Sequence, residues 1–89
     1  MDSRLRKLKF RAWRRGFREA DLILGPFADA HLEAMTPQQV DEFEALLEQP
    51  DHELYGWIVG EDEPPSAVDG VVLGQIRRFR LLVHQTIRT

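Results

Sequence analysis

Within eight residues, Arg14-Arg15-Gly16-Phe17-Arg18-Glu19-Ala20-Asp21, the chain brings together three guanidinium groups, a glycine and two carboxylates. The chemistry these groups offer is recognition. Arg15 supplies a planar, permanently charged fork suited to a carboxylate or a cluster of carbonyls, and Glu19 can accept from a partner's donors or hold Arg15 in place. Gly16, without a β-carbon, permits a left-handed turn and lets a partner's backbone approach closely. The same residues admit a plainer reading: Gly16 as a helix C-cap, Glu19 as an acid in the next first turn, Arg15 as a solvated side chain.

Little else in the sequence has a reactive pattern. His31, His52 and His84 are scattered, and no pair shows the spacing or the acidic company of a metal site. There is no glycine-rich phosphate loop, no nucleophile elbow and no Ser or Thr beside a plausible base, so neither a catalytic residue nor a metal ligand is expected. The absence of cysteine removes thiolate nucleophiles and disulfides together. Trp57 reads as core; Tyr55, on another side of the same short helix, reads as a partner contact.

These residues must be positioned by helices. Leu5, Leu8 and Ala12, with Phe10 and Trp13, recur at spacings of three and four from Arg4 to Trp13, which predicts a basic amphipathic helix ended by Gly16. A second segment, from about Arg18 to Met35, places Leu22, Ile23, Phe27, Ala30 and Ala34 on one stripe, with a kink or break at Gly25-Pro26. Thr36, Pro37 and Gln39 form a capping-box start for a third helix, cored by Val40, Phe43, Leu46 and Leu47. Pro50 closes it, Asp51 is placed to cap a fourth helix bearing Leu54, Trp57 and Ile58, and Gly60 stops that one. Glu61 to Ser66, with Pro64-Pro65, reads as an acidic loop before a last helix from about Asp69, striped by Val72, Ile76, Phe79 and Val83. The expected fold is a single all-α domain over residues 1–89, a small bundle of five helices.

At 89 residues and 43% hydrophobic, the chain has enough apolar surface for one modest core and little left to line a deep pocket, so no stably bound cofactor is expected. No apolar run approaches the roughly 18 residues of a bilayer span, so membrane insertion is not expected. The charge is uneven: residues 1–18 carry eight basic side chains and one acid, residues 19–69 carry fourteen acids and no Lys or Arg, and the last twenty carry four basic groups and no acid. Basic end helices folding against the acidic middle, or docking of a partner, both follow from that asymmetry. The acid-poor start has a transit-peptide composition, but it runs directly into the Arg14 to Asp21 segment.

That segment resembles the R-G-x-x-E signature of the FAD assembly factors of succinate dehydrogenase and fumarate reductase. The resemblance is carried also by Pro26-Phe27 and by Leu46-Leu47 followed by Asp51-x-x-Leu54-x-x-Trp57, over roughly residues 8–60. It departs at Ala20, where a larger apolar residue is common in relatives, and at Gly56. The resemblance implies a helical chaperone, not an enzyme, that binds the flavoprotein subunit of succinate dehydrogenase, with that of fumarate reductase as a second client. It would promote covalent attachment of FAD to a client histidine, the flavin remaining the client's. Arg15, Gly16 and Glu19 inherit the client-binding role, extended to Arg14, Arg18 and Asp21. A cytoplasmic monomer is expected. Two other readings remain beside it: an antitoxin-like regulator, and a nucleic-acid module using the basic, aromatic run from Arg4 to Arg18. The net charge of −3 argues against the latter.

Overall fold

The computed structural model describes residues 3–88, with side chains described through Val83. Five α-helices follow in order: α1 (Ser3–Trp13), α2 (Arg18–His31), α3 (Pro37–Leu47), α4 (Asp51–Val59) and α5 (Val71–Arg88), with a 3-10 turn, Leu32–Ala34, after α2. Among the described residues there is no strand, and the all-α expectation holds.

Local chemistry explains most boundaries. At the start of α3, Thr36 Oγ1 accepts from the Gln39 amide at 3.2 Å, and the Gln39 side chain accepts from the Thr36 amide at 3.0 Å, a complete capping box with Pro37 in the first turn. Gly60 takes the left-handed conformation, φ 85°, that ends α4, and the Gly56 carbonyl receives the amides of Gly60, Glu61 and Asp62. Glu42, from α3, accepts the Val72 amide at 3.4 Å and so places an anion at the start of α5, which begins at Val71 instead of Asp69.

Three expectations are corrected. Helix α1 ends at Trp13, and Gly16 lies in the turn beyond it. Helix α2 runs unbroken through Pro26: the carbonyl left without an amide donor belongs to Leu22, a residue on the solvent side, where water can replace the amide. Its buried face is Ala20, Leu24, Phe27 and Ala28, with Ile23 partly buried, whereas Leu22, Ala30 and Ala34 are exposed. Gly25 lets α1 approach α2 closely, which helps to set this register. A β-carbon at Gly25 would stand 2.2 Å from the Trp13 ring.

The core gathers Leu8 and Ala12 of α1, that face of α2, Val40, Phe43, Leu46 and Leu47 of α3, Leu54, Trp57 and Ile58 of α4, and Val72, Leu73 and Ile76 of α5. Phe27 is fully buried at its centre, with ring centroids 5.8 Å from Phe43 and 5.6 Å from Phe79. Full burial of each such side chain contributes about 1.5–3 kcal/mol. No polar or charged residue among the described ones is buried as a whole.

The polar contacts ring this core, and they join the basic helices to the acidic middle. Arg4 pairs with Asp41 and Glu44, Arg11 with Glu44, Lys9 with Glu33 and Arg15 with Asp51. Arg77 of α5 donates to the Trp57 carbonyl at 2.8 Å, near the C-terminus of α4. Internal compensation therefore takes up part of the charge asymmetry.

Candidate functional site

The turn between α1 and α2 carries most of the residues singled out in the sequence. Gly16 stands at φ +90°, a conformation that L side chains rarely adopt, and nothing lies within 4 Å of where its β-carbon would be. The backbone demands glycine, and the space above it is open. Asp21, in the first turn of α2, reaches back so that its two carboxylate oxygens accept the amides of Arg15 at 3.1 Å and Gly16 at 3.4 Å. An acid near the N-terminus of α2 thus fixes the turn and also meets the positive end of the helix.

Arg15 points inward, its side chain 9% exposed. Its Nε donates to Asp51 at 2.8 Å, one terminal nitrogen donates to the Leu47 carbonyl, and the other donates to the Gln49 carbonyl at 2.5 Å. The guanidinium thereby ties the end of α3 to the first turn of α4, where carbonyls left unpaired by α3 and a helix-start carboxylate converge. Asp51 is accordingly not the cap of α4: Pro50 holds that position without a side-chain bond, and the Asp51 carboxylate is spent on Arg15. Glu19 was a candidate to hold Arg15; Asp51 holds it instead.

Glu19 is exposed and, among the described residues, makes no ion pair or side-chain hydrogen bond. It lines a groove of about 300 Å³ with Leu22, Ile23, Tyr55, Phe79 and Arg80. Tyr55 is half-buried, its ring 5.3 Å from Phe17, and Phe17 in turn meets the edge of His52 at 5.0 Å. Phe17 therefore pins the turn to α4. Trp57 lies in the core, as expected. Arg14 and Arg18 are exposed at the two ends of the turn, Arg14 with its guanidinium 4.6 Å above the Phe10 ring.

The structure thus brings Arg14 to Glu19, Asp21 and Tyr55 into one region and divides them by role. Arg15 and Asp21 hold the corner; Gly16, Arg18 and Glu19 are presented to solvent. Sequence reasoning missed Phe17 as a strut, Asp51 as the partner of Arg15, and the groove walls supplied by Phe79 and Arg80. The Phe17 and Asp51 roles each had one available signal, the aromatic residues Phe17 and Tyr55 for the first and an acid following the end of α3 for the second; the groove walls had none. Among the described residues no cluster of His, Asp or Glu can hold a metal; the side chain of His84 lies outside them. No helix among them is long and apolar enough to cross a membrane.

Comparison with known proteins bears on residues 6–80, which match the family model described as flavinator of succinate dehydrogenase. The chain belongs to that flavinator family. Its relatives include the FAD assembly factor SdhE of Acetobacter pasteurianus, 43% identical over 58 residues that make up 65% of this chain and 53% of that one. The mitochondrial succinate dehydrogenase assembly factor 2 of Dictyostelium discoideum is 35% identical over 68 residues, 76% of this chain and 48% of its own. That of Schizosaccharomyces pombe is 34% identical over 65 residues, 73% and 47%. The chain spans about half the length of these flavinator relatives. No solved structure gives a significant match. The matched stretch contains the whole Arg14 to Asp21 turn, the Arg15 anchor points and the groove as far as Arg80.

Proposed function

We propose that this chain is an assembly factor for succinate dehydrogenase that binds the flavoprotein subunit and promotes covalent attachment of its FAD, with the fumarate reductase flavoprotein as a second client. One observation carries the reading: a turn clamped from inside by Arg15 and Asp21 leaves Gly16 uncovered and Glu19 without a side-chain partner among the described residues, beside a largely apolar groove. A rigid, pre-formed corner loses little freedom when a partner docks on it. Open space over Gly16 admits a client backbone, Glu19 offers a carboxylate to client donors, and the groove between Leu22 and Phe79 receives an apolar side chain.

In this reading the chain acts as a cytoplasmic monomer before the holoenzyme assembles, and the bond-forming chemistry stays with the flavin and the client histidine. The helper stabilises the client arrangement in which the two are aligned, and alignment alone is worth several kcal/mol of barrier. Arg14 and Arg18 flank the corner and raise the rate of encounter more than they tighten the complex.

The test is direct binding of the purified flavoprotein subunit, followed by size-exclusion chromatography and calorimetry. The wild-type chain should form a complex that Glu19→Ala and Gly16→Arg both lose. Glu19→Ala should melt within about 4 °C of wild type, since an exposed side chain without partners contributes little stability. A complex that forms unchanged with Glu19→Ala and Gly16→Arg would remove the corner from the interface.

A further inference from the structure

Helix α1 and Arg14 just beyond its end divide their cations between two faces. Arg4, Lys9 and Arg11 turn toward acids of α3 and the 3-10 turn, while Arg6, Lys7 and Arg14 make no ion pair among the described residues. Between these last three lie Phe10, 60% exposed, and Trp13, 39% exposed. Together they line a shallow groove of about 570 Å³ whose remaining described walls are Ser3 and Lys9, with no carboxylate among the described residues lining it. A Phe and a Trp left open to water a turn apart, ringed by unpaired cations, are out of place on a helix whose other side is fully used.

Trp13 is not loosely exposed. Gly25 of α2 lies directly against its ring, and its indole N–H donates to the Asp29 carboxylate at 3.1 Å, so the indole is a fixed ledge. Fixed Trp and Arg side chains are the residue types that anchor protein interfaces, because little rotamer freedom is left to lose. The face is also continuous with the corner, since Arg14 lines this groove and also the pocket formed by Arg11, Arg15, Leu47 and Asp51.

We infer that the outer face of α1 is a second docking site, for a short acidic segment of the client flavoprotein carrying one apolar side chain among its carboxylates. The apolar side chain seats between Phe10 and Trp13, and the carboxylates meet Arg6, Lys7 and Arg14. Eleven residues of helix extend about 16 Å, which matches about five residues of extended chain. Nucleic acid fits less well: Arg14 already covers the Phe10 ring on which a base would stack. This inference rests on the proposed assembly-factor role.

The test measures binding of the full chain to the purified flavoprotein subunit at about 0.05 M and about 0.5 M salt, a range over which exposed charges become screened. Arg6→Glu with Lys7→Glu should weaken the complex about tenfold at low salt, through slower association, and much less at high salt. Phe10→Ser should weaken it about tenfold at both. All three positions are exposed, so melting temperatures should stay near wild type. Wild-type affinity in these variants, with loss in Glu19→Ala, would overturn the second site and leave the assembly-factor role standing. No binding by the wild-type chain would overturn both. Dependence on Arg6, Lys7 and Phe10 appearing only toward a single-stranded oligonucleotide or anionic phosphatidylserine vesicles would overturn the choice of occupant.

Discussion

Replacing Arg15 with Ala should lower stability by about 2–4 kcal/mol, and the number follows from its three partners. A hydrogen bond involving a charged group is worth about 1.5–3 kcal/mol, and Arg15 makes one to Asp51 and two to the carbonyls of Leu47 and Gln49. They do not add in full. Asp51 has a side chain 36% exposed and regains water once its partner is gone, so the loss falls below the about 3–5 kcal/mol of a fully buried pair broken on one side. For a domain of this size the drop in melting temperature should be about 10–25 °C. Arg15→Lys should recover only part of it, because one ammonium cannot reproduce three divergent donors. The assay is thermal and urea unfolding followed by circular dichroism for wild type, Arg15→Ala, Arg15→Lys, Asp51→Ala and the double variant. A coupling of about 1 kcal/mol or more between Arg15 and Asp51 is expected. An Arg15→Ala variant melting within about 2 °C of wild type would refute the assignment of this side chain as the clamp between α3 and α4.

Gly25→Ala should destabilise by about 1–2 kcal/mol despite the better helix propensity of alanine, because the new methyl collides with the Trp13 ring; a red-shifted tryptophan emission should accompany the loss. Phe43→Ala should cost about 3–5 kcal/mol in urea unfolding, since Phe43 is fully buried against Phe27. Lys9 donates to Glu33 and holds its carboxyl below the ordinary glutamate range. The native state therefore binds that proton less readily than the unfolded chain, so this stabilisation is present above the ordinary value and lost as pH falls through the lowered one. Glu33→Gln should flatten that part of the acid limb in urea midpoints measured from neutral pH to pH about 3, and an unchanged limb would show that the pair contributes nothing.

Much of the architecture was legible because its signals are local. Thr36, Pro37 and Gln39 fix the start of α3 through contacts three residues apart, and Gly60 ends α4 through its own backbone. The α2 register was not legible in the same way. Phe27 and Ile23 of the expected stripe do face the core, but the close seat of Trp13 on Gly25 turns the helix so that Ala20, Leu24 and Ala28 are buried with them and Leu22, Ala30 and Ala34 are left outside, a tertiary contact between α1 and α2. Pro26 does not break α2, since part of a proline's cost inside a helix, the orphaned carbonyl, is relieved where water reaches it. At the candidate site, a left-handed turn at Gly16 and the half-open position of Tyr55 followed from residue type and helical spacing; that Glu19 and Tyr55 share one groove did not. The inward course of Arg15 did not, because its acceptors lie more than thirty residues away in sequence. The groove beside Glu19 was hidden for the same reason, its far wall being contributed by Phe79 and Arg80 of α5.

The assembly-factor role is tested by expressing the succinate dehydrogenase flavoprotein subunit with this chain, without it, and with Glu19→Ala, then reading covalent flavin fluorescence on a denaturing gel. A flavin band that depends on the wild-type chain and fades with the folded Glu19→Ala variant is the expected result. Bands of equal intensity in all three lanes would contradict that role.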